Sequence, residues 1–294
     1  MRISLVVLSG VGAFVTAGAQ GPPSTDVFLA PLRVTANGVA LGAVVNVTNR
    51  PGYDNQPSFT PDGRSILFTS VRDDGQSDIY RYDIAAGTIA RVTTTPESEY
   101  SATVMPHARR FSVIRVEKDS AQRLWSFALD GSDPQIVVAR LKPVGYHAWI
   151  DSRNLALFVL GKPNALVHAN VITGAVDTLA RDIGRSLQPL PDRVGFSFTQ
   201  RTDSGTFRLK TMRWPSRATQ DLIGLPRGTE DIAWLGKGMV LAAQGTKLIL
   251  WQTGDANWRT VADLAASNLT NITRLAVSRD GKWLALVAIP KTSP

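Results

Sequence analysis

Six stretches of this chain carry the same four-strand pattern at near-constant spacing, and the sixth is divided between the two ends of the sequence. The clearest copy is Pro57-Ser58-Phe59-Thr60-Pro61-Asp62-Gly63, followed by the apolar run Ser65-Ile66-Leu67-Phe68-Thr69-Ser70. With Phe59 as the marker, the equivalent positions are Val104, Trp149, Leu190, Trp234 and Val277, at steps of 45, 45, 41, 44 and 43 residues. Periods of about 40–45 residues with four short strands each are the pattern of propeller blades. The chain is expected to be all-β: a six-bladed β-propeller with four antiparallel strands per blade, forming one domain over residues 20–294.

The expected blades cover residues 55–96, 100–142, 145–181, 186–224, 230–264 and 272–290 plus 25–48. In each, a nearly unbroken apolar run such as Ser65–Ser70 suits a strand covered on both faces. A run such as Asp78–Asp83 (DIYRYD) alternates and suits a position nearer solvent. After Trp283–Ala288 the last blade is two strands short. Asp26-Val-Phe-Leu-Ala-Pro-Leu32 has the third-strand pattern and Val44–Thr48 the fourth, so the N-terminal segment is expected to close the ring. Such closure removes the open sheet edges.

Residues 1–19 read as an export signal. Arg2 precedes an apolar run over 3–15, and Ala17-Gly18-Ala19 forms a small-residue cleavage site, leaving Gln20 as the expected mature start. The run is too short to span a bilayer. With no cysteine there is neither a disulfide framework nor a lipid-acceptor thiol. A bacterial periplasmic or secreted location is expected, with the molecule a monomer. The net charge of +8 is spread over all the blades, and no basic run alternates with aromatic residues, so nucleic acid is not an expected partner. Asn46-Val-Thr, Asn268-Leu-Thr and Asn271-Ile-Thr are formal glycosylation acceptors, expected to be silent in a bacterial protein.

The run Asn55-Gln-Pro-Ser-Phe-Thr-Pro-Asp-Gly-Arg64, with Ser77-Asp-Ile-Tyr80 after the apolar strand, resembles the WD-like repeat of the TolB-type six-bladed propellers. Ser278-Arg-Asp-Gly-Lys-Trp-Leu-Ala285 is a second good copy. The resemblance covers nearly the whole mature chain and implies a scaffold that docks a protein. TolB carries an α/β domain before its propeller, and about six residues between Gln20 and Asp26 leave no room for one, so a stand-alone propeller is expected. Gly-x-Ser-x-Gly, the nucleophile motif of hydrolase domains that accompany some related propellers, does not occur.

Chemistry is expected at the mouth of the central channel, where the innermost strands begin. Gln56, Glu99, Tyr146, His147, Arg185, Glu230, Asp231 and Arg274 form the candidate partner-binding ring, flanked by Asp54, Asn55, Ser101 and Gln188. No catalytic residue is assigned. The leading expectation is a non-catalytic scaffold that binds an envelope or secreted protein or peptide. The alternative is a lactonase-like hydrolase, because six-bladed enzymes of that kind hold a divalent cation, such as calcium, with a similar ring of Glu, Asn and Asp. Of the remaining histidines, His107 is expected to be an exposed turn residue and His168 a structural one, and the seven tryptophans are expected mainly in the core.

Overall fold

The computed structural model describes residues 23–35, 38–106 and 109–291, so the segment 1–19 expected to be an export signal and His107 lie outside the described residues. It contains six antiparallel sheets in chain order around an axis, with their innermost strands in contact around a closed ring. Those innermost strands are Asp54–Phe59, Ser98–Val104, Val144–Trp149, Ile183–Pro189, Ile232–Leu235 and Leu269–Val277, for blades 1 to 6. Each sequence marker sits at the far end of one of them, or immediately after it.

Second strands form the core of each blade. Ser65–Val71, Arg110–Val116 and Trp283–Pro290 are flanked by a neighbouring strand on both sides and covered by adjacent blades on both faces. Phe68, Phe111, Phe127 and Phe196 have no exposed surface. Burying such a side chain contributes roughly 1.5–3 kcal/mol. The core is a series of apolar seams between blades. One joins Leu241 and Leu250 of blade 5 to Leu275, Leu284 and Leu286 of blade 6, and another joins Phe158 and Leu166 of blade 3 to Phe196, Phe198 and Met212 of blade 4. A repeated polar contact crosses the seams as well. The Trp149 indole donates to Ser112 of the preceding blade (2.9 Å), and the Trp234 indole donates to Ser197 in the equivalent way (2.8 Å).

The Asp-Gly turns carry structure. Thr60 Oγ1 donates to Asp62 (2.6 Å), Asp62 accepts the Arg64 amide (3.1 Å), and Gly63 adopts φ = 69°, which the tight reversal requires. Ser278 and Asp280 repeat the bond at 2.7 Å in blade 6.

The N-terminal segment closes the last blade. Strand Asp26–Thr35 pairs with Trp283–Pro290 from Asp26 opposite Ala288 to Pro31 opposite Trp283, and Val45–Asn46 pairs on its outer side. Three details differ from expectation. Asp26–Thr35 runs past Leu32 and turns back as Gly38–Leu41, a hairpin whose pairing depends on tertiary support. The fourth strand of blade 2 shortens to Gln135–Ile136. Asp78–Asp83 does not alternate: Asp78, Ile79 and Tyr80 are all buried, while Arg81 is exposed and Tyr82 and Asp83 are half-buried.

Candidate functional site

Innermost strands begin together at one end of the ring, and bulges at that end decide where each side chain points. The register shifts between Asn55 and Ser58, Tyr100 and Thr103, Val144 and Tyr146, Ile183 and Leu187, and Thr270 and Arg274. A bulge frees backbone amides from the ladder, and a buried free amide needs a partner. Side chains one blade away provide it. Gln56 Oε1 accepts the Ser101 amide (2.9 Å), Glu230 Oε1 accepts the Arg185 amide (2.7 Å), and Asp231 Oδ2 accepts the Leu275 amide (2.9 Å). Gln188 adds a fourth link, donating to the Ile232 carbonyl at 2.6 Å. Gly184 leaves room for the Glu230 link, since a Cβ there would stand 2.7 Å from Glu230 Oε1.

The eight ring residues therefore separate. Gln56 is one of these inter-blade staples. Glu99 is fully buried between blades 1 and 2, accepting from Thr95 and from Arg115 Nε (3.0 Å). Burial pushes its carboxyl up to about 7. His147 is buried between blades 2 and 3 with Nε2 2.7 Å from Ser112 Oγ, and burial pushes its imidazole down to about 3, so it is neutral. His168 bonds Asn154 (2.8 Å) and lies 4.3 Å from the Trp214 ring centroid, a packing role.

Tyr146, Arg185, Glu230, Asp231 and Arg274 do converge. Arg274 of blade 6 donates Nη2 to the Tyr146 hydroxyl of blade 3 at 2.7 Å, with its guanidinium 5.1 Å from the Tyr146 ring centroid. Blades 3 and 6 are opposite each other, so this contact bridges the channel. Arg185 of blade 4 reaches the Thr273 carbonyl of blade 6 at 3.3 Å and stands 3.8 Å from Glu230. Burial opposes the Arg274 charge, but Tyr146, Asp231 and Tyr53 around it outweigh that and raise its pKa. Asp231 is raised by burial, against the pull of Arg274 and Arg185.

Tyr53 completes the cluster, and Tyr100, packed against Val144 and Trp149 at the blade 2–3 seam, lies within its electrostatic reach; neither was singled out from sequence. Tyr53 feels Arg274, Tyr146, Tyr100 and Arg185, and burial raises its pKa, so its hydroxyl remains a donor. Each precedes or follows a polar residue that was chosen (Asp54, Glu99). The available signal was a tyrosine near the start of each of the first three innermost strands.

The mouth fits a divalent cation poorly. One oxygen of each carboxylate is held by a backbone amide, two guanidinium groups share the space, and among the described residues no group of three or more His, Asp or Glu is placed to hold a metal ion. On the same end, farther from the axis, a groove of about 320 Å³ opens over blade 2, lined by Glu97, Arg115, Glu117, Lys118, Asp119 and Trp125.

The ring is a six-bladed β-propeller, a fold it shares with solved structures described as TolB. A structure described as TolB of Agrobacterium tumefaciens superposes with a TM-score of 0.70 at 14% identity, covering 91% of this chain and 100% of that one. The nidogen/laminin complex gives 0.65 at 13% identity over 86% of this chain and 97% of that one. Oligogalacturonate lyase in complex with manganese gives 0.56 at 11% identity over 84% and 80%. In sequence, the Tol-Pal system protein TolB of Bordetella pertussis is 51% identical over 41 residues, which is 14% of this chain and 9% of that protein. No family model matches. Among the described residues no helix is long and apolar enough to cross a membrane.

Proposed function

We propose that this chain is an exported docking scaffold that binds a protein or peptide through the channel-mouth face of its ring. The observation that carries the reading is the convergence of Tyr53, Tyr100, Tyr146, Arg185 and Arg274 at one end of the channel. Tyrosine and arginine are the residues that dominate protein interfaces, because each combines a large contact area with directional hydrogen bonding. The export signal read from residues 1–19 supports an envelope location. The fold shared with TolB, and with a partner in the nidogen/laminin complex, supports use of such a ring as a platform.

The test is capture from envelope extract with the tagged chain and with a Tyr100→Ser, Arg185→Ser double variant, followed by hydrogen exchange on the captured complex. A specific partner lost from the variant, with protection at 53–56, 98–101 and 183–186, is the expected result. Capture unaffected by the variant, with protection elsewhere, overturns the channel-mouth assignment.

A cation-dependent hydrolase is the second reading, and the fold shared with oligogalacturonate lyase in complex with manganese supports its cation but not the hydrolysis. Stoichiometric, chelator-sensitive binding of calcium or manganese in calorimetry would favour it over docking.

A further inference from the structure

The mouth also indicates which chemical group it grips. A guanidinium presents five N–H donors in a planar fork. Among the described residues the Arg185 side chain makes one hydrogen bond, to the Thr273 carbonyl, and the Arg274 side chain makes one, to the Tyr146 hydroxyl. Arg185 bonds the backbone next to Arg274, and both cations act on Asp231 and on Tyr53, so the two share the mouth although they come from blades 4 and 6. Arg185 Nε is shielded from solvent and makes no hydrogen bond, its ion-pair partner Glu230 Oε2 standing 3.8 Å away.

The nearby carboxylates neutralise these cations but hydrogen-bond to neither guanidinium. Glu230 gives Oε1 to the Arg185 backbone amide and remains 3.8 Å from the guanidinium, while Asp231 gives Oδ2 to the Leu275 amide. Both serve the wall as inter-blade staples through one oxygen each, while the two guanidinium forks carry more N–H donors than the wall fills. The Tyr53 hydroxyl adds another, held protonated by burial. The Arg274–Tyr146 bridge crosses the channel from blade 6 to blade 3, so a ligand group entering along the axis meets it. A carboxylate matches a guanidinium fork with two parallel hydrogen bonds. The overall charge of +8 favours the approach of an acidic segment.

We propose that Arg185 and Arg274 form a carboxylate-binding site, and that the segment docked by this ring inserts an acidic side chain into the channel mouth. The inference rests on the docking reading for the identity of its ligand, and its test separates the two.

Arginine 15Nε–1Hε resonances of the full chain are followed in NMR titrations with three probes. These are a doubly capped Gly-Ser-Asp-Glu-Gly-Ser peptide, its Asn-Gln counterpart and inorganic phosphate. The acidic peptide is expected to shift the Arg185 and Arg274 signals saturably and to bind about tenfold more tightly than the amide peptide. Arg185→Met and Arg274→Met are each expected to weaken it about fivefold or more. Equal response to acidic and amide peptides, or shifts spread over all arginines, overturns the proposal. Tighter binding of phosphate than of the acidic peptide overturns it in favour of a phosphoryl ligand. These comparisons use the unmodified chain, so they hold even where a variant folds poorly. A partner still captured at the mouth when the peptides fail leaves docking intact without this site. Saturable acidic-peptide binding with no captured partner leaves the site standing and removes the docking reading.

Discussion

Glu99 has no exposed surface, accepts from Thr95 and Arg115, and leaves Oε2 without a partner. Burial raises its pKa from 4.5 to about 7 despite the Arg115 guanidinium. A carboxyl whose folded pKa exceeds its unfolded one contributes stability below the unfolded value and loses it as pH rises through the folded value. Between pH 4.5 and about 7, the protein is therefore expected to lose stability relative to a Glu99→Gln variant, by roughly 3 kcal/mol at the top of the window. Thermal melts of both proteins across that range check it, and parallel curves would mean that Arg115 keeps Glu99 ionised throughout. Ser197 makes a simpler case at the same scale. It accepts the Trp234 indole at 2.8 Å, and Ser197→Ala leaves that buried donor unpaired. The expected cost is about 1 kcal/mol in denaturant unfolding.

The closing strand depends on one carboxylate. Asp26, 1% exposed, accepts from Asn46 Nδ2 (2.7 Å) and Thr48 Oγ1 (2.9 Å), and so fastens the outer strand of blade 6 to the N-terminal one. The Asn46 amide is thus engaged in the fold, although its sequence context reads as a glycosylation acceptor. Asp26→Ala removes the acceptor for both groups and is expected to cost about 1–3 kcal/mol. Faster hydrogen exchange at 44–49, with blades 2 to 4 unchanged, would locate the loss in this element. Gly131 marks another close contact, between blades 1 and 2. It sits at φ = 85°, and a Cβ would lie 1.8 Å from the Val92 carbonyl oxygen. Gly131→Ala is expected to lower the melting temperature more than Gly87→Ala, where φ is 67° but nothing stands within 4 Å.

At the scale of the whole molecule, the two ends of the chain share one sheet, with Asp26–Thr35 between Trp283–Pro290 and Val45–Asn46. Removing 23–48 would expose the full edge of Trp283–Pro290 and uncover Leu284 and Leu286, which have no exposed surface in the ring. The truncated chain is expected to aggregate or to lose cooperative melting. A soluble truncation with a single sharp transition, measured by circular dichroism and light scattering, would show that the ring closes without its N-terminal strands. The mouth belongs to this scale too, since Tyr53, Tyr100, Tyr146, Arg185, Asp231 and Arg274 come from blades 1 to 6 in turn.

Blade number, strand order and end-to-end closure were legible in the amino-acid sequence because they rest on local signals. Apolar runs such as Ser65–Ser70, Asp-Gly turns such as Asp62-Gly63, and a marker every 41 to 45 residues each act within one repeat. The wall that each mouth residue faces was settled only by the tertiary structure. Side chains alternate along a strand with period two, and five of the six innermost strands carry a bulge at the mouth that resets the alternation. Glu99 turns into the seam with blade 1, and Glu230 and Asp231, ahead of the one innermost strand without a bulge, accept backbone amides of blades 4 and 6. A bulge is decided by how the next blade packs against the strand, which no single repeat encodes.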